Sequence, residues 1–315
     1  MSKKLQAGEG TMEGIIILAV ILIIVISMPK NPSQTASVSP GSIFYTGNSP
    51  IPGTGSTGGP VIKSAPQAQY ISLGTGNAAY SYQPYEEYVT IENYGREPVN
   101  ITGWQLKNGK DKRAYYQGGM LQRFSADVAV VPQAARLLSP TGQNILGDVI
   151  LAQGESAVVT TGSVNVQSPY KITSFKENSC TGYLEKLPDY AFTPPLSQNC
   201  PWPSKEPGIE NLPPECRDII STISSCQTPV FESRDLNREP CDNCLNGKIV
   251  PSYCAAFIKE HYSYEGCVKN HAGDTNFSGW TWRIFLGRGW EMWAKDYEMV
   301  NLFNSAGQLV DFKNY

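Results

Sequence analysis

Two histidines, His261 and His271, are the chain's whole imidazole complement. With Glu260 and Asp274 close by in sequence, they are the residues best suited to acid–base chemistry. The competing reading is structural, with one histidine on a helix face and the other in a loop, and the sequence favours it. Cys241 and Cys244, in the stretch CDNC, have the spacing of a redox pair or of half a zinc site, and Cys254 and Cys267 follow. A thioredoxin-type pair opens a helix after a strand, whereas this one is expected in a loop beginning at Pro240. The sequence holds no G-x-S-x-G, H-E-x-x-H or P-loop motif. The expectation is therefore a protein that is not an enzyme, with no cofactor and no metal. An exported hydrolase using His261 or His271 is the alternative from the catalytic class.

Eight cysteines, Cys180, Cys200, Cys216, Cys226, Cys241, Cys244, Cys254 and Cys267, crowd one segment, and the first 179 residues have none. An even number so clustered, downstream of an export signal, reads as a local disulfide framework whose pairing the sequence leaves open. Zinc is the rival reading and gains ground only if the segment stays in a reducing compartment.

The elements that position these residues follow from the hydrophobic pattern. The 315 residues suffice for one large core or two modest ones. A net charge of −3, with charged residues at 17%, argues against a nucleic-acid partner. EEYVTIENYG alternates, with Val89 and Ile91 on one side, and ends on a turn signal at Asn93–Gly95. VNITGWQL and VILAQGESAVVTTG are further short alternating runs. EMVNLFNSAGQLVDF reads as a hairpin around Asn-Ser-Ala-Gly. Several such strands argue for a mainly β fold, a β-sandwich. Within the cysteine-rich stretch, CRDIISTISSC and SYCAAFIKEHYSY have helical spacing, at Cys216, Ile219, Ile220 and Ile223 and at Cys254, Phe257 and His261. Trp280, Trp282, Trp290 and Trp293 form a candidate binding patch, for a glycan or a protein ligand. Asn100 and Asn276 are sequon asparagines that fit an exported chain.

At the other end, Ile15–Met28 is an uninterrupted apolar run preceded by Lys3 and Lys4, which directs the rest of the chain outward. As a helix it would reach roughly 20 Å, short of a roughly 30 Å hydrocarbon core. Glu13 stands against this run, where an unpaired carboxylate is costly. Residues 29–68 are rich in Pro, Gly, Ser and Thr and read as a flexible stalk.

Two resemblances organise these features. GEGTMEGIIIL resembles the class III signal of archaeal type IV pilins. Lys3 and Lys4 match its basic leader, Gly8 the residue before the cut, Thr11 its serine and Glu13 its glutamate; Glu9 stands where glutamine is usual. The resemblance implies cleavage after Gly8 and a Glu13 paired with a neighbouring subunit's α-amino group, hence self-association through the helix. EEYVTIENYGREPVNITGWQLKN is similar to the opening of the lamin tail domain, at Glu87, Tyr88, Val89, Ile91, Asn93, Gly95, Val99, Asn100, Ile101, Gly103, Trp104 and Leu106. ILAQGESAVV and NLFNSAGQLVD resemble a later strand and the closing hairpin of that family. SFKENSCTGYLEKLPDYAFTPPLSQNCPWP and WTWRIFLGRGWEMWAKDYEMVNL resemble an extended form of lamin-tail protein on the surface of small bacteria and archaea.

Together these imply an immunoglobulin-like β-sandwich over 69–315, with a disulfide-rich, partly helical insertion at about 163–284. Ahead of it would come a leader (1–8), a hydrophobic membrane or assembly helix (9–28) and the stalk. The expected function is that of a non-enzymatic, membrane-anchored cell-surface protein serving adhesion, envelope structure or partner binding, its body extracellular. A pilin-like filament subunit is the alternative.

Overall fold

The computed structural model describes residues 65–110, 114–123, 125–164, 170–188 and 191–315. The leader, the hydrophobic helix with Gly8, Glu9 and Glu13, and nearly all of the stalk lie outside the described residues. Among the described residues no helix is long and apolar enough to cross a membrane.

The body is mainly β. Its larger sheet has seven strands in the order β1-β2-β11-β16-β12-β8-β9. These are β1 (Ile71–Gly74), β2 (Tyr88–Asn93), β8 (Ala134–Ala135), β9 (Leu146–Gly147), β11 (Ser156–Thr160), β12 (Phe175–Asn178) and β16 (Ser278–Phe285). A four-stranded sheet runs β18-β17-β4-β7, from β4 (Gln105–Asn108), β7 (Val128–Val130), β17 (Met299–Phe303) and β18 (Leu309–Asn314), and two small pairs join β3 (Val99–Asn100) to β10 (Ile150–Leu151) and β5 (Ala114–Gln117) to β6 (Met120–Arg123). Strand β2 alternates as its sequence requires, burying Val89, Ile91 and Asn93 while Tyr88, Thr90 and Glu92 stay half-exposed. The closing hairpin also forms, with Val300 opposite Lys313 and Phe303 opposite Leu309.

Both sheets feed one core. Leu73, Val89, Ile91, Val159 and Ile284 from the larger sheet join Leu106, Val300, Leu302 and Val310 from the smaller, and Trp104 lies among them at 2% exposure. Full burial of each such side chain contributes about 1.5–3 kcal/mol, so this shared core is a main contribution to holding the two sheets together. The structured body begins earlier than the stalk boundary expected from composition. Ala65 is buried and donates its N–H to Leu309 O at 2.7 Å, and Pro66–Gln69 form a 3-10 turn. A single apolar methyl and a strand-edge carbonyl suffice to dock a segment whose composition looks unstructured.

The cysteine-rich excursion leaves the sheet after Asn178 and returns at Ser278. The two residues are register partners on antiparallel β12 and β16. The sheet thus takes β12 and most of β16 from the stretch that the lamin-tail resemblance assigned to the insertion. The excursion holds α1 (Gly182–Glu185), α2 (Pro214–Ser221), α3 (Ser252–His261) and α4 (Tyr264–His271), and a small sheet of β13 (Glu232–Arg234), β14 (Pro240–Leu245) and β15 (Lys248–Ile249). α2 opens on Pro213–Pro214, a start proline tolerates because the first-turn N–H groups have no helical partner. Ser263 caps α4 by accepting from Gly266 N–H at 3.0 Å.

Two further apolar clusters hold the excursion. One joins Phe175 of β12 to Tyr183, Leu184, Phe192 and Tyr264; the other joins Ile220 of α2 to Ile258 and Tyr262. Disulfides Cys180–Cys267 and Cys200–Cys226 lie in the first and Cys216–Cys254 in the second. Arg283 on β16 ties the excursion to the sheet, its Nε 2.5 Å from Glu177 and its other nitrogens donating to Pro194 O and Pro195 O.

Candidate functional site

The cysteines resolve first. All eight are paired, the fourth bridge being Cys241–Cys244. Its CDNC lies on strand β14 rather than in the expected loop, pairing with β13 and β15. Among the described residues no group of three His, Cys, Asp or Glu side chains is placed to hold a metal ion.

The two histidines, read from sequence as separate features, converge on one carboxylate. Glu206, buried at 4% exposure after the Pro203–Lys205 3-10 turn, faces His261 Nδ1 at 3.1 Å and His271 Nε2 at 3.2 Å. His271 Nδ1 in turn lies 2.8 Å from Asp274 Oδ2. Burial alone would lower the His271 pKa. Hydrogen bonds to Asp274 and Glu206 outweigh it and hold the ring above its ordinary value. His261 stacks on Phe257 with ring centroids 3.9 Å apart, and Asn270 Nδ2 approaches its Nδ1 at 3.1 Å. Both ring nitrogens of His271 are occupied by carboxylates, so neither is placed to take a proton from a substrate. The cluster clamps the 203–206 turn onto α3 and α4. The sequence carried no sign of it, because Glu206 stands 55 and 65 residues from its partners.

The four tryptophans divide. Trp282 and Trp293 are 3% exposed and belong to the core, whereas Trp280 and Trp290 are 68% and 53% exposed. Trp280 sits on β16 close to where the excursion rejoins the sheet. Trp290 lies elsewhere, on the loop between β16 and β17, and its neighbours are residues the sequence reading did not single out. Ser81 Oγ donates to Glu291 Oε1 at 2.9 Å, joining the β1–β2 loop to the β16–β17 loop. Tyr80 and Tyr82 flank that serine at 79% and 72% exposure, and Trp290 precedes that glutamate. Three exposed rings thus lie within one residue of a single hydrogen bond.

The two loops are held from beneath. Glu87, fully buried at the start of β2, accepts from Met292 N–H at 2.7 Å and from Trp293 N–H at 3.1 Å. Burial raises its carboxyl pKa, against the lowering effect of these two donors. Gly162 N–H donates to Pro84 O and Arg288 N–H to Thr161 O, fixing both loops to the end of β11. Above this base Lys295 Nζ stands 2.8 Å from the centre of the Tyr82 ring. The Arg288 guanidinium lies 5.3 Å from that of Trp290 and donates to Val128 O. Each ring is backed on one face by a cation. An open depression is lined by Tyr297, Glu298, Met299, Asn314 and Tyr315. A second depression, in the excursion and lined by Thr222, Ile223, Pro229 and Val230, has Glu232 as its one charged group, and that carboxylate already accepts from Gly247 N–H.

Of the sequons, Asn276 is exposed between α4 and β16. Asn100, on β3 (Val99–Asn100), is also exposed, but its Nδ2 donates to Asp148 at 2.9 Å and its Oδ1 accepts from Thr102 N–H. The geometry as a whole describes a rigid surface of aromatic rings and mixed charges on a disulfide-stapled body. No protein family, no curated protein and no solved structure matches the chain.

Proposed function

We propose that this is an exported, membrane-anchored cell-surface protein that works by binding rather than by catalysis. It presents an immunoglobulin-like sandwich of the lamin-tail kind, with its stapled insertion, on a stalk outside the cell. The observation that carries the reading is that all eight cysteines are joined in four disulfides. A reducing cytosol does not sustain such a set, and an oxidising exterior does. The occupation of both His271 ring nitrogens by carboxylates supports a non-catalytic role for that residue. The sandwich reading draws on the strands carrying the lamin-tail-like motifs, β2, β4, β11, β17 and β18, since both sheets close over the core they share.

The test is an intact mass of the full chain taken from cells, alkylated without reduction, together with protease treatment of whole cells. The expected result is that no thiol is alkylated, residues 1–8 are missing, and external protease releases the body. A full-length chain with alkylated thiols, protected from external protease, would refute export and bring zinc forward.

A further inference from the structure

We infer that the loop pair bearing Tyr80, Tyr82 and Trp290 is a binding site for neutral, β-linked glycan chains. This deepens the proposed surface-binding role and rests on it. Pyranose rings with equatorial hydroxyls offer a flat C–H face and a polar rim. A site for them needs exposed aromatic faces with hydrogen-bonding side chains between. Here Tyr82 and Trp290 each have a cation over the ring, Lys295 and Arg288, and remain more than half exposed. A cation over each ring restrains it before a ligand arrives, which reduces the entropy lost on binding. The Glu87 clip beneath does the same for the backbone of both loops.

Charge and composition decide among occupants. The surface carboxylates Glu86, Glu291 and Asp296 interleave with the cations Arg288 and Lys295. So mixed a field gives a nucleic acid or other polyanion no net attraction. Protein interfaces also use Tyr, Trp and Arg, but their buried centres are depleted of other charged residues, whereas Glu291, Lys295 and Asp296 share the loop with Trp290. Neither loop exposes a Leu, Ile, Val or Met: Leu286 is half-buried and Met292 fully buried. Rings without aliphatics, bordered by carboxylate, ammonium and amide groups, suit a ligand whose every residue is apolar on its faces and polar at its edge.

The experiment titrates detergent-solubilised, disulfide-intact full-length protein with β-1,4-linked hexasaccharides of glucose and of N-acetylglucosamine. Binding is read by calorimetry and by saturation-transfer NMR. Trp290→Ala and Tyr82→Ala are compared with Trp280→Ala, which alters a more exposed tryptophan outside the loop pair. Binding at millimolar or tighter Kd is expected in wild type and Trp280→Ala, weakened at least about tenfold in each of the other two. Absence of binding to both hexasaccharides by protein whose disulfides and circular dichroism are intact would overturn the glycan assignment. So would binding that survives in Trp290→Ala and Tyr82→Ala. Neither result touches export, which the alkylation and protease experiment decides separately.

Discussion

Glu87→Gln tests the link between fold and surface most directly. The carboxylate is fully buried, and its two oxygens each accept one backbone N–H, from Met292 and Trp293. A glutamine keeps one acceptor and turns an NH2 group toward the other donor, leaving a buried N–H unpaired. That costs about 1–3 kcal/mol, reduced by the relief of no longer burying a charge. Glu87→Ala orphans both donors and opens a cavity, so about 3–5 kcal/mol is expected. Urea unfolding followed by tryptophan fluorescence gives the stability change, and hydrogen exchange at Met292 and Trp293 locates it. The pH dependence has a definite sign. Burial holds the folded carboxyl above its ordinary value of 4.5, so Glu87 contributes stability that is fully present below that value. The contribution is lost as pH rises through the folded pKa. The gap between wild type and Glu87→Gln therefore narrows with rising pH across that interval. A gap under about 0.5 kcal/mol with unchanged exchange at both amides, or one that widens as pH rises, would refute the reasoning.

Three more expectations follow from other parts of the body. Disulfide removal should rank by the chain length each bridge closes. Cys180–Cys267, separated by 87 residues, is worth about 4.5 kcal/mol, and Cys241–Cys244, separated by 3, about 1.5; equal losses of urea midpoint in the two Cys→Ala pairs would contradict this. His271→Gln should cost most at low pH: the histidine's raised folded pKa gives stability fully present below about 6.5 and lost as pH rises through that raised value, measurable as a shrinking Tm difference. Gly182→Ala would set a methyl 2.3 Å from Cys226 Sγ and 2.9 Å from Cys200 Sγ. A loss of about 1–3 kcal/mol is expected, reduced but not abolished when Cys200 and Cys226 are both alanine, because the Gln198 backbone still stands 3.1 Å from the added methyl; a loss unaffected by that background would place the crowding elsewhere.

The sheets were legible where alternation was clean. Val89 and Ile91 announce β2, and Val300, Leu302 and Val310 announce the closing hairpin, because one buried face imposes a period of two on the sequence. α2 was legible from Cys216 and Ile220. Strand β12 was not, since FKEN is polar by type yet wholly buried: Lys176 and Glu177 are neutralised by Glu155 and Arg283, partners 21 and 106 residues away. Pairings at such range leave no local trace. The same holds for the surface site. Trp290 could be named from residue type alone, but Trp282 and Trp293 could not be separated from it, as burial is decided by which strand lies opposite. Tyr80 and Tyr82 became candidates only when Ser81 met Glu291 across 210 residues of chain.

The pairing of Asn178 with Ser278 has a consequence for how the chain can change. A segment that departs and returns at one rung of a ladder needs its two ends to be neighbours there, and beyond that rung it meets the sheet mainly through Arg283 and Phe175. Its length can grow or shrink at a cost rising only with the logarithm of the number of residues, and its contents can be exchanged while Arg283 and Phe175 still find something to grip. The body is in this sense a socket. A tight turn joining β12 directly to β16 would complete the same seven strands, and a foreign domain with neighbouring termini could be seated there without moving the Tyr80, Tyr82 and Trp290 surface, which is built on other loops.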